Sequence, residues 1–214
     1  MSIPKRAAIG LAATVTALVM TACSSNASSG SAGGSPGGAA STTATAGAAG
    51  GASSPAAASG WSRNPDQSST ALKAGLPMLG SEMLQVHYHA HLDVIVDGKP
   101  VTVPQYVGID ENAQTITALH THDTSGVVHI ESAKDVPFKL GQFFTEWGQP
   151  MTATQIGPVA LGTDKALHVF VNGKEVAGDP AQYVLKAHDE IAVWVGAKDQ
   201  TPQVPSSYDF PPGL

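Results

Sequence analysis

From Val86 to Val96 apolar and polar residues alternate. Val86, Tyr88, Ala90, Leu92, Val94 and Val96 fall on one side; His87, His89, His91, Asp93 and Asp97 fall on the other, with Ile95 the exception. A period of two belongs to a half-buried β-strand. The "DG" at 97–98 predicts a tight hairpin that sets Val94 opposite Val101 and Leu92 opposite Val103. A second hairpin is predicted around "DTSG" at 123–126. Centred there, it places His120 opposite His129 and His122 on the same face, and it sends Leu119, Val128 and Ile130 to the buried side. The period then changes. Leu140, Phe143, Phe144 and Trp147 recur at helical spacing, with Gly148 as a stop and Pro150 beyond it. "LHVFVNGKEV" at 167–176 predicts a third hairpin on an "NG" turn, and residues 190–195 predict a closing strand. The proline-containing tail, 201–214, is expected to be extended or disordered.

Strands, one short helix and more strands, without a βαβ repeat, predict an α+β domain over 71–200 with a mostly antiparallel sheet. "LDVIVDGKPV" and "LHVFVNGKEV" echo each other, and each is followed by "QYV". Either a strand-turn-strand module is duplicated, or two hairpins with buried valines look alike. The last 30 or so residues of the domain, an "NGK" hairpin before a "DEI" strand, resemble the end of a β-grasp fold.

Composition adds a location. Lys5 and Arg6 precede an apolar run that ends at "VMTAC", and Cys23 is the only cysteine. The run suits a signal peptide, 1–22, and is too short to span a bilayer comfortably. "VMTAC" resembles the lipobox of bacterial lipoproteins, with Met20 where that pattern prefers leucine. The resemblance implies cleavage before Cys23, lipid on its sulfur and an extracytoplasmic domain tethered to the bacterial cell membrane. Residues 24–60 contain only Ser, Ala, Gly, Thr, Pro and Asn. Such a composition predicts a disordered linker, taken as 23–70, that cannot bury enough apolar surface to offset ordering its backbone. Without Lys5 and Arg6 the chain has 9 basic against 17 acidic side chains, a net −8 with neutral histidines. That balance argues against nucleic acid and against adhesion to anionic lipid. A lone cysteine leaves no intrachain disulfide.

The histidines carry the candidate chemistry. Six of eight lie between His87 and His129. On a strand, residues i and i+2 project the same way about 6.7 Å apart, close enough for two imidazoles to tilt onto one ion at about 2.0–2.1 Å. His87 and His91 are about 13 Å apart on this spacing, so one ion cannot easily take all of "HYHAH". His120 and His122 with His129 across the ladder form the first-choice ligand set; His89 and His91, then His87, come next. Asp93, Asp123 and Glu131 are placed to orient imidazoles. Imidazole suits zinc, copper and nickel; zinc or copper is the expected cofactor. A thiolate-rich Cu(I) site is excluded by the lone cysteine, and Met78, Met83 and Met151 are scattered. His168 and His188 stand apart and are expected to be surface or locally bonded.

"HYHAHLDVIVDGK", "LHTHDTSGVVHIES", "FKLGQFFTEWG" and "VFVNGK" resemble segments of an uncharacterised family of secreted and lipid-anchored bacterial proteins. The resemblance implies one extracytoplasmic domain and leaves its function to the residues. The leading expectation is an envelope lipoprotein binding zinc or copper for storage, delivery or sensing. A zinc-dependent hydrolase or hydratase would need an open coordination position and a pocket with a carboxylate; no GxSxG or cysteine nucleophile is present. A third reading is an interaction module for an envelope protein, its histidines merely exposed. Converging imidazoles, with nitrogens about 3–4.5 Å apart, fit metal; splayed ones fit interaction.

Overall fold

A computed structural model describes residues 60–214. The leader, Cys23 and nearly all of the low-complexity stretch lie outside the described residues. The elements run α1 (Gln67–Ala74), β1 (Val86–Val96), β2 (Lys99–Val101), β3 (Ile109–Asp110), β4 (Thr115–Ile116), β5 (Leu119–His120), β6 (Val127–Ser132), α2 (Leu140–Trp147), β7 (Gln155–Ile156), β8 (Val159–Ala160), β9 (Lys165–Val171), β10 (Lys174–Glu175) and β11 (Glu190–Ala197), with a 3₁₀ turn at Pro180–Gln182. The domain is α+β. Its main sheet is mixed and mostly antiparallel, in the order β10-β9-β11-β1-β6-β5, with β2 also on β1. The central pair, β1 and β11, is parallel, joining the two ends of the fold. α2 lies between the first and third hairpins in sequence.

Alternation fixes the register. Ala90, Leu92 and Val94 enter the core and the histidines of β1 take the opposite face. Asp97 and Gly98 both adopt positive φ, as a two-residue hairpin turn requires, and Asn172 and Gly173 repeat this in the third hairpin. Val94 pairs with Val101 as expected, but the β1–β2 ladder ends there. Val103 reaches the core beyond it, and Leu92 donates instead to the Gly126 carbonyl at 2.9 Å. The echoing hairpins flank β11, one with its first strand parallel to it and the other antiparallel.

α2 lays Leu140, Phe143, Phe144 and Trp147 against the sheet and stops at Gly148, whose left-handed conformation closes the last turn. α1 corrects the linker boundary of 70. Asp66 caps it by accepting from Ser69 N, and Gly75 ends it. Trp61 is already in the core, against Trp147, whose indole N–H donates to the Trp61 carbonyl at 3.1 Å. The helix lacked an apolar stripe because Gln67 and Thr70 are its buried residues along with Ala71. The tail 201–214 has no strand or helix, yet it packs: Tyr208 stacks on His91, and Phe210 lies tilted against His188. Among the described residues no helix is long and apolar enough to cross a membrane.

Candidate metal centre

Three strands bring the histidines together. β6 pairs with β1 on one side, His89 opposite His129, and with β5 on the other, His120 opposite His129. The two histidine hairpins thus share one sheet, and His89, His129 and His120 form a row across it. His87 and Glu131 are the next pair along β1 and β6. His122 follows β5, and its ring centre lies 4.6 Å from that of His129. The His89 and His129 rings meet edge to face at 4.5 Å, and those of His87 and His89 at 4.7 Å.

The ligand atoms converge. His87, His89, His129 and Glu131 each offer one within 4.8 Å of the others, as do His120, His122 and His129, and Glu82, His120 and Glu131. His87 Nε2 and His89 Nε2 are 3.1 Å apart. A tetrahedral ion with bonds of 2.0–2.1 Å holds its ligands about 3.3 Å apart. The closest pair already has that spacing. The widest must close by rotation of side chains, two of which, His87 and His122, are 41% and 43% exposed. The histidines converge rather than splay, and these clusters could hold a metal ion.

The most constrained histidine is His120, with no exposed surface. Its Nδ1 lies 3.0 Å from the Thr117 carbonyl, which can only accept, so Nδ1 carries the proton and donates. Nε2 is then the lone-pair nitrogen. It is buried and without a hydrogen-bond partner, as are His129 Nδ1 and Glu131 Oε2. Buried polar atoms ordinarily find partners; here three neighbouring ones lack them. A backbone carbonyl fixing one ring nitrogen is the arrangement that orients metal-bound histidines. Gly108 makes room for it. At φ +75° it lies against the Leu119 carbonyl, Thr117 Oγ1 and His120 Cβ, where a β-carbon would collide with Leu119 O at 2.2 Å.

Electrostatics keep His89, His120 and His129 neutral. Burial, then like-charged neighbours, pushes His120 down to about 3 and His129 to about 4. Burial and the adjacent His87 lower His89. Neutral imidazole is the form that ligates. Glu131 lies 3.3 Å from His87 Nε2 and 3.4 Å from His129 Nδ1, in the cluster rather than behind it. Burial, with Glu82 nearby, raises its carboxyl. Cation charge would relieve that pressure.

The remaining expected residues are placed elsewhere. His91 is not in the main cluster but forms a separate group with Asp93 and Glu190. Its Nδ1 is 2.7 Å from Glu190 Oε2 and its Nε2 2.9 Å from the Ser125 carbonyl. Burial opposes charge on this ring, but the Glu190 carboxylate outweighs it and raises His91 overall. The Ser125 carbonyl can only accept, so Nε2 donates to it, and Nδ1, facing Glu190, is the nitrogen this separate group could offer an ion. Asp93 is 3.8 Å from His91 and orients no cluster histidine. Asp123 accepts from Ser125 N, stabilising its own turn. His168 bonds Glu175, and His188 Nε2 lies 3.1 Å from the Leu214 carbonyl, both locally bonded as expected.

Glu82 and Glu190 were not singled out by sequence reasoning. Glu82, 3.6 Å from His122 Nε2, comes from an irregular loop anchored by the Leu79–Ile116 bridge. Glu190 reaches His91 only through the parallel β1–β11 pairing. Neither has a local pattern to betray it, although the "HDE" preceding the closing strand is an available signal for Glu190. No family model, curated protein or solved structure matches the chain, so the site stands on its own geometry.

Proposed function

We propose that this protein is a cell-envelope lipoprotein that binds a transition metal, zinc or copper, through histidines of β1, β5 and β6. One observation carries the reading. His120 Nε2 is a buried lone pair with no partner, fixed in direction by the Thr117 carbonyl and aimed among histidines from neighbouring strands. The donor set, imidazole with carboxylate and no thiolate, suits zinc or Cu(II). The exposed edges at His87 and His122 let an ion enter and leave, as storage, delivery or sensing requires. The "VMTAC" motif and the charge-free stretch behind it support a membrane tether through Cys23 and an extracytoplasmic setting.

Calorimetric titration with zinc and Cu(II), on protein purified without a polyhistidine tag, tests the reading. Sub-micromolar binding should be lost in His129→Ala and retained in His188→Ala. Equal effects of both variants, or no saturable binding, refute it.

A further inference from the structure

The cluster holds more ligands than one ion can use. An open zinc site takes three protein ligands and a water, and a closed one takes four. Five histidines and Glu131 lie in two groups that share His129, and Glu131 of the first group also meets His120 of the second in a third group with Glu82. The first two groups lie on opposite sides of His129. His89, on β1, is its partner across one ladder; His120, on β5, is its partner across the other. Strands are spaced about 4.7–4.9 Å apart, so the backbones of His89 and His120 stand two spacings apart, with His129 between them. The ring contacts follow the same division: His87 with His89, His89 with His129, and His129 with both His120 and His122. Each side also ends in one half-exposed histidine, His87 on one and His122 on the other. Each therefore has its own opening for a solvent ligand. Unpartnered buried atoms occur on both sides and between them: His120 Nε2 in the β5 group, and Glu131 Oε2 and His129 Nδ1 on residues that both sides reach.

From this division we infer that the centre is dinuclear. One divalent ion is held by His87 and His89, the second by His120 and His122, and His129 and Glu131 lie between them within reach of both. The inference rests on the metal-binding reading and extends it to the number and partition of the ions. A paired site on one sheet face would let an ion arrive at one exposed histidine while another is held at the other.

The test uses the exposed residues, whose replacement does not disturb the core. Wild type, His87→Ala, His122→Ala and the double variant are loaded with excess zinc, dialysed and analysed for metal content. Two zinc ions per chain are expected in wild type, one in each single variant and none in the double. Loading with Cu(II) should give a spin-coupled or dipolar-broadened resonance in wild type and an isolated one in each single variant. One ion in wild type, weakened alike by both substitutions, overturns the dinuclear assignment and leaves a mononuclear site. Two ions in wild type and still two in either single variant overturns the partition. No retained metal in wild type refutes the metal-binding reading itself. Urea midpoints within experimental error of wild type verify that the variants are folded.

Discussion

Acidifying the metal-free protein should destabilise it through His120. In the folded chain this ring is fully buried and pushed down to about 3; in the unfolded chain it titrates near 6.5. Between those values the unfolded state binds a proton that the folded state does not, so stability falls as pH drops. At pH 5 the solution is 1.5 units below the unfolded value. At 1.36 kcal/mol per unit, His120 alone removes about 2 kcal/mol relative to neutral pH. Burial leaves little solvent screening to discount this. His129, held at about 4, acts in the same direction. His91 is raised instead, so its contribution is complete below 6.5 and lost as pH rises above that value. The comparison that isolates His120 is therefore wild type against His120→Gln, whose amide can still donate toward Thr117. Urea unfolding with a chelator present, at pH 7 and pH 5, reads the difference. Wild type should lose about 2 kcal/mol more than the variant, a midpoint difference of roughly 1 M at ordinary urea slopes. Identical losses in the two proteins would refute the claim that a neutral, buried His120 is built into the fold.

Three further substitutions probe how the site is supported. Gly108→Ala forces a β-carbon into the Leu119 carbonyl at a positive φ and should cost about 3 kcal/mol or more by urea unfolding. Trp61→Ala should cost roughly 3–5 kcal/mol by the same assay, because the fold begins before α1 and Trp61 packs on Trp147; a neutral result would return residues 61–70 to the linker. Tyr208→Ala removes a ring stacked 3.7 Å from His91 and should cost about 1 kcal/mol while leaving zinc affinity of the main cluster by calorimetry unchanged, because His91 lies outside that cluster.

The local parts of the site were legible in the sequence. Alternation placed His87, His89 and His91 on one face of β1, and a turn at 123–126 sufficed to set His120 opposite His129. What joins the two hairpins is not local. β1 meets β6 across an intervening hairpin and loop, and nothing in either strand's pattern specifies the other as its neighbour. The same holds for His91. Its alternation is that of His89, yet a parallel strand from the far end of the chain delivers Glu190 to it and places it in a separate group with Asp93 and Glu190. Thr117 and Gly108, which orient and accommodate His120, act through a carbonyl oxygen and an absent side chain. Neither leaves a compositional trace. α1 was missed because apolar periodicity was the criterion, although Asp66 at its start and Gly75 at its end are helix boundary signals.

X-ray absorption at the zinc edge of the loaded protein tests the central claim most directly. Ligation by the histidines of three strands predicts a nitrogen and oxygen shell at about 2.0–2.1 Å with the multiple-scattering pattern of several imidazoles, diminished in His129→Ala. A shell of oxygen alone, or imidazole scattering unchanged in that variant, would contradict it.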